Sequence, residues 1–130
     1  MSTTLVANGE LARFYRCWND AFDRRDAGAF VALYAADARL MSPGSSALVG
    51  REAIRAYVEA TFFAFGGVDS EMCSAKVIEA GDYLVDIGTY AITFDGGMQM
   101  AGNYLTMFHT SGENGLEAAY DIFSPSDVPT

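Results

Sequence analysis

The sequence predicts an α+β fold: three helices come first and pack on one face of a curved antiparallel sheet. Three observations carry this. Apolar residues recur at steps of three and four through the first half of the chain. After Gly66-Gly67 the period changes to two. The alternating segments that follow are joined by short, Gly-rich connections, which suit antiparallel neighbours in a meander.

Each element has its own signal. From Glu10 to Arg25, residues Leu11, Phe14, Tyr15, Trp18 and Phe22 share one helical face, and polar residues fill the other. Asp26 is an N-cap for a second helix over Ala27 to Ala35, with Phe30, Leu33 and Tyr34 inward. A strand over Ala38 to Ser42 stops at Pro43-Gly44. A third helix spans Gly50 to Phe65, with Ile54, Tyr57, Val58, Thr61 and Phe62 inward. Four strands follow, near Val68 to Glu79, Tyr83 to Phe94, Met98 to His109 and Leu116 to Phe123. Their turns are Gly81-Asp82, Asp95-Gly96-Gly97 and Ser111 to Gly115.

Length and composition bound the rest. The 130 residues make one domain, residues 1–130, with its core over about residues 10–125. Apolar residues form 51% of the chain, enough for a real core. The formal charge of −9 argues against nucleic acid as a partner. No apolar run reaches the roughly 18 residues of a membrane span, so no membrane partner is expected. Met1 to Asn8 has neither a basic start nor an apolar core, so a cytoplasmic, unprocessed chain is expected. Cys17 and Cys73 lack metal-ligand spacing and read as two buried free thiols. One histidine, His109, at a strand end, and scattered carboxylates give no metal cluster and no triad. No phosphate-binding glycine motif occurs.

"WNDAFDRRDAGAFVALYAADARL" and "SPGSSALVGREAIRAYV" resemble the opening of the nuclear transport factor 2-like superfamily. That group includes ketosteroid isomerase, limonene epoxide hydrolase and the SnoaL-like polyketide cyclases. "GDYLVDIGTYAITFDGG" and the segment from Met100 to Pro129 resemble the paired later strands of its small subfamilies. The resemblance implies a cone-shaped curved sheet, the cystatin-like α+β roll, closed by helices around an apolar pocket. It also implies a homodimer formed through the sheet face. The fold hosts many chemistries and some non-enzymes.

The same resemblance puts three ketosteroid isomerase roles on changed residues. The base position falls on Ser42, which has no useful basicity without a partner. The tyrosine position falls on Trp18, whose indole only donates. The later aspartate falls near Tyr104, with Asn103 as the neighbouring alternative. A true ketosteroid isomerase is therefore not expected. A limonene epoxide hydrolase relay needs a cavity arginine, and Arg39, Arg51 and Arg55 all precede the later strands.

Other polar groups remain. Asp121 is in phase with Ala119 and Phe123 and is the candidate acid–base group, against a structural role bonded to Trp18 or backbone. Tyr90 and Tyr104 are candidate donors. Trp18, Phe22, Tyr34, Ser42, Tyr57, Asn103 and Phe123 are candidate ligand contacts. Two functions compete. One is a small-molecule-binding protein of the SnoaL-like type with an apolar or polyketide-like ligand, extending to cofactor-free acid–base catalysis. The other is a non-catalytic dimeric association module whose cone is filled by its own side chains. No cofactor and no metal are expected.

Overall fold

The computed structural model describes residues 3–44, 46–64, 66–112 and 115–126. Helix α1 spans Thr3–Asp23, seven residues earlier than the apolar stripe alone suggests. It buries Leu11, Phe14 and Phe22. Arg25 turns the chain in the left-handed region at φ 52°. Asp26 then caps α2, Ala27–Val31, by accepting from the Ala29 amide at 3.0 Å.

The second helix is shorter than expected, and strand β1 begins at Tyr34, running Tyr34–Met41. Tyr34 is therefore a buried strand residue and not a helical one. The cause is tertiary. The Leu33 carbonyl accepts from the Ala118 amide at 3.0 Å, and the Tyr34 carbonyl accepts from Arg51 Nε at 2.9 Å. These partners outweigh the helix propensity of the alanines around them. A two-residue strand, β2 at Leu48–Val49, pairs antiparallel with β1 and has no counterpart among the expected elements.

Helix α3 spans Arg51–Val58 and runs into a π-helical turn, Glu59–Phe63. The expected helix end at Phe65 lies outside the described residues. Strands β3 (Gly67–Ala80), β4 (Tyr83–Phe94), β5 (Gln99–Gly112) and β6 (Gly115–Pro125) form the expected antiparallel meander. The middle of the turn expected at Ser111 to Gly115 also lies outside the described residues. The six strands form one sheet in the order β2-β1-β6-β5-β4-β3. Strand β1 lies parallel to β6, which places the N-terminal half of the chain against the last strand.

Period-two burial sets the concave face. Leu84, Asp86, Gly88, Tyr90 and Ile92 point inward on β4, and Tyr104, Thr106 and Phe108 on β5. A register shift around Ala119 on β6 allows Ala118, Ala119 and Asp121 all to be buried. Helix α1 and the α2–α3 pair close over this face, so the aromatic core lies between helices and sheet.

The two thiols are not buried: Cys17 and Cys73 are both exposed. Cys17 falls off the apolar stripe of α1. Cys73 faces outward opposite Thr89, with its neighbours Met72 and Tyr90 on the inner side.

Gly88, like Gly102, sits where neighbouring backbone comes too close for a side chain. A Cβ there would lie 2.1 Å from the Cys73 carbonyl oxygen and 2.9 Å from the Tyr104 hydroxyl. Backbone cannot yield as a flexible side chain can. Gly88→Ala is expected to destabilise the chain by about 3 kcal/mol, read from the urea unfolding midpoint. An unchanged midpoint would show that β3 and β4 are not held together this closely.

Candidate functional site

Between helices and sheet lies a small recess of about 50 Å³. Its helical side is made by Phe14, Tyr15, Trp18, Phe22 and Phe30, with Val58 and Phe62 at one flank. Its sheet side is made by Ser70 and Met72 on β3, Tyr90 and Ile92 on β4, Tyr104 and Thr106 on β5, and Asp121 and Phe123 on β6. No arginine, lysine or histidine lines it among the described residues. None of these residues forms a metal-binding cluster.

Two polar groups of the recess, Thr106 and Asp121, extend into a row with Asp86, which does not itself line it. Asp86, Thr106 and Asp121 sit directly opposite one another across β4, β5 and β6. Both carboxylates are shut off from solvent, at 0% and 6% exposure, so each needs donors. Tyrosines supply them. The Tyr34 hydroxyl donates to Asp121 Oδ2 at 2.7 Å, and Thr106 Oγ1 donates to Oδ1 at 2.9 Å. The Tyr15 and Tyr104 hydroxyls both donate to Asp86 Oδ2 at 2.7 Å. Tyr104 also lies 3.5 Å from the Ser74 hydroxyl. Asp86 Oδ1 and the buried Trp18 indole N–H have no hydrogen-bond partner among the described residues.

Burial dominates the electrostatics. It pushes the Asp121 carboxyl above its ordinary value of 3.8, against the lowering effect of the bonds from Tyr34 and Thr106. Burial, then the adjacent Asp121 charge, pushes the Tyr34 phenol well up. Burial, then the Asp86 charge, does the same to Tyr15. Tyr104 is raised chiefly by burial too. All three phenols therefore stay protonated and donate to the carboxylates across the working pH range.

Of the ten expected site residues, Asp121, Tyr90, Tyr104, Trp18, Phe22, Tyr34 and Phe123 line the recess. Three do not. Ser42 is buried just past the end of β1 and does not line the recess. Asn103 is exposed on the convex face, because period two pairs it outward with Thr89 while Tyr104 turns inward. Tyr57 is half-buried and does not line the recess; its ring packs on Phe62, which does, with centroids 6.0 Å apart. Asp121 is bonded to Tyr34 and Thr106 rather than to Trp18 or backbone. His109 packs against Tyr83 at 5.0 Å, away from the recess.

Sequence reasoning missed Asp86. The signal was there: stepping back by two from Tyr90 and Gly88 lands on Asp86, so period two alone puts a carboxylate on the buried face. Its partner Tyr15 reads in the sequence as a plain core residue. The α1 phenol that meets a buried aspartate is therefore Tyr15, one turn before Trp18.

A family model described as a SnoaL-like domain matches residues 11–120. This chain belongs to the SnoaL-like family. Solved structures agree on the fold. A ketosteroid isomerase-like protein from Erwinia carotovora atroseptica is 21% identical, with a TM-score of 0.72 over 92% of this chain and 96% of its own. The protein Aln2 from a Streptomyces species is 23% identical, with a TM-score of 0.77 over 98% and 94%. An NTF2-like protein with a cystatin-like fold from Novosphingobium aromaticivorans is 19% identical, with a TM-score of 0.78 over 95% and 84%. At these identities the likeness establishes the fold alone. No curated protein sequence matches the chain significantly. Membership in the SnoaL-like family confirms the expected curved-sheet α+β architecture. Among the described residues no helix is long and apolar enough to cross a membrane.

The raised Asp121 carboxyl carries a pH signature. The folded chain holds this proton more tightly than the unfolded chain does. Its stabilising contribution is complete below pH 3.8 and is lost as pH rises through the raised folded value. In chemical denaturation across that range, Asp121→Asn is expected to gain on the wild type as pH increases. A difference between the two that does not change with pH would remove the raised carboxyl.

Proposed function

We propose that this chain is a small-molecule-binding protein of the SnoaL-like type whose recess takes a neutral, largely apolar molecule. The observation that carries this reading is the buried Asp121 carboxyl bordering an otherwise largely apolar recess that has no cationic side chain among the described residues. An anionic ligand would meet a carboxylate there without a counter-charge. The chemistry such a site can do is acid–base work without a cofactor. A carboxylate with a raised pKa accepts a proton more readily than an ordinary one. Tyr34 and Thr106 fix its orientation and leave its remaining lone pairs for a ligand proton. The Trp18 N–H, which has no acceptor among the described residues, suits a ligand carrying one acceptor oxygen.

A second reading, a non-catalytic association module, is favoured by the volume of the recess. About 50 Å³ is far below the roughly 300–1,000 Å³ of common ligand sites. Both readings include a homodimer through the convex sheet face. There Leu105 (37% exposed) sits directly opposite Ile122 (43%), with Tyr120 (42%) nearby.

Two measurements test these readings. The chain has a single tryptophan, so its indole N–H gives one resonance. Titration of ¹⁵N-labelled protein with cyclohexanone is expected to shift that resonance saturably, together with Tyr90 and Phe123. A complete lack of shifts would overturn the binding reading and leave the association module. In sedimentation, the chain is expected to run at twice its 14.0 kDa mass, and Leu105→Glu is expected to weaken the dimer at least about tenfold. A monomeric wild type would overturn the dimer.

A further inference from the structure

The recess holds about 50 Å³, against the roughly 150 Å³ of a dry protein cavity that binds benzene. A guest of more than a few atoms therefore needs one wall to give way. The walls differ in how firmly they are held. Phe14, Phe22 and Phe30 on the helical side are 5% exposed or less. The sheet side is tied by the hydrogen bonds to Asp86 and Asp121.

The flank made by the π-helical turn Glu59–Phe63 is different. None of its five residues is buried. Its wide turn interrupts the regular helical ladder, a feature common at functional sites. Gly66, just beyond, sits at φ +77°, where a Cβ would strike the Asp95 carboxylate at 2.6 Å. From this turn Phe62 reaches the recess. Its ring lies 6.1, 6.0 and 6.0 Å from those of Phe22, Tyr57 and Phe123. The adjacent Phe63 packs on Phe22 and Phe30 and does not line the recess.

We propose that Phe62 is the size-determining residue of the recess. In place it limits guests to a few heavy atoms; turned outward it admits a neutral monocyclic molecule. The size follows from the residue itself. A phenylalanine side chain beyond Cβ is a benzene ring, so moving it frees one ring of space continuous with the recess. Two fused or bridged rings exceed that space while the displaced ring still borders the opening, so the wild type excludes polycyclic ligands and loss of the ring relaxes the limit. This inference rests on the reading that the recess binds small molecules.

The test titrates wild type, Phe62→Ala and Phe63→Ala with monocyclic cyclohexanone and bicyclic camphor, read by the Trp18 indole resonance. Wild type is expected to bind cyclohexanone at least about tenfold more tightly than camphor. Phe62→Ala is expected to bind camphor at least about tenfold more tightly than wild type does, and Phe63→Ala to match wild type. Phe62→Leu, which keeps more of the packing, is expected to show a smaller gain of the same sign. Equal camphor affinity in wild type and Phe62→Ala, with cyclohexanone still bound, would overturn the role of Phe62 and leave the binding reading standing. An equal gain in Phe63→Ala would overturn it as well, because general loosening of the turn would then suffice. Binding of neither probe by wild type or Phe62→Ala would overturn both.

Discussion

A carboxylate taken out of water must be met by donors, and this fold takes two of them out of water on one face. Asp86 and Asp121 lie in one row across β4 and β6, with Thr106 between them. The tyrosines that satisfy them come from three different elements. Tyr15 ties α1 to β4, Tyr104 ties β5 to β4, and Tyr34 ties β1 to β6. The same bonds that solve the desolvation problem therefore dock the first helix on the sheet and seat the early strand beside the last. Charge-assisted bonds at 2.7 Å are strong enough to fix these alignments and short enough to specify them.

What remains between the helices is defined by rings. Trp18 lies 4.4 Å from Phe30, and Phe14 lies 4.8 Å from Phe108, in tilted or edge-on pairs. Aromatic pairs prefer such edge-on or offset arrangements over face-to-face stacking. The recess lies beside Phe14, Trp18 and Phe30, and its polar boundary is the Asp121 side of the row. The recess combines a buried carboxyl with little room.

The convex face follows a different logic. Leu105, Tyr120 and Ile122 stay exposed on a chain of net charge −9. They form an apolar strip on the two central strands, β5 and β6. The alternation that buries Tyr104, Thr106 and Asp121 is the same one that exposes Leu105, Tyr120 and Ile122. Core and surface patch are two sides of one pattern.

Local periodicity determined most of the architecture. The stripe of α1, the Asp26 cap, the change of period after residue 66 and the Gly-rich turns are all local, and the meander follows from them. Seven of the ten expected site residues line the recess because helix and strand periods fix which face a side chain takes. Asp86 was legible by the same rule. Tertiary contact decided the rest. Tyr34 became a strand residue because β6 and Arg51 claimed the backbone carbonyls at the end of α2. The parallel pairing of β1 with β6 joins segments from opposite halves of the chain, and no local pattern encodes it. The partners of Asp121 and the volume of the recess depend on how rings from distant elements meet. Those are properties of packing, and a one-dimensional period carries direction but not distance.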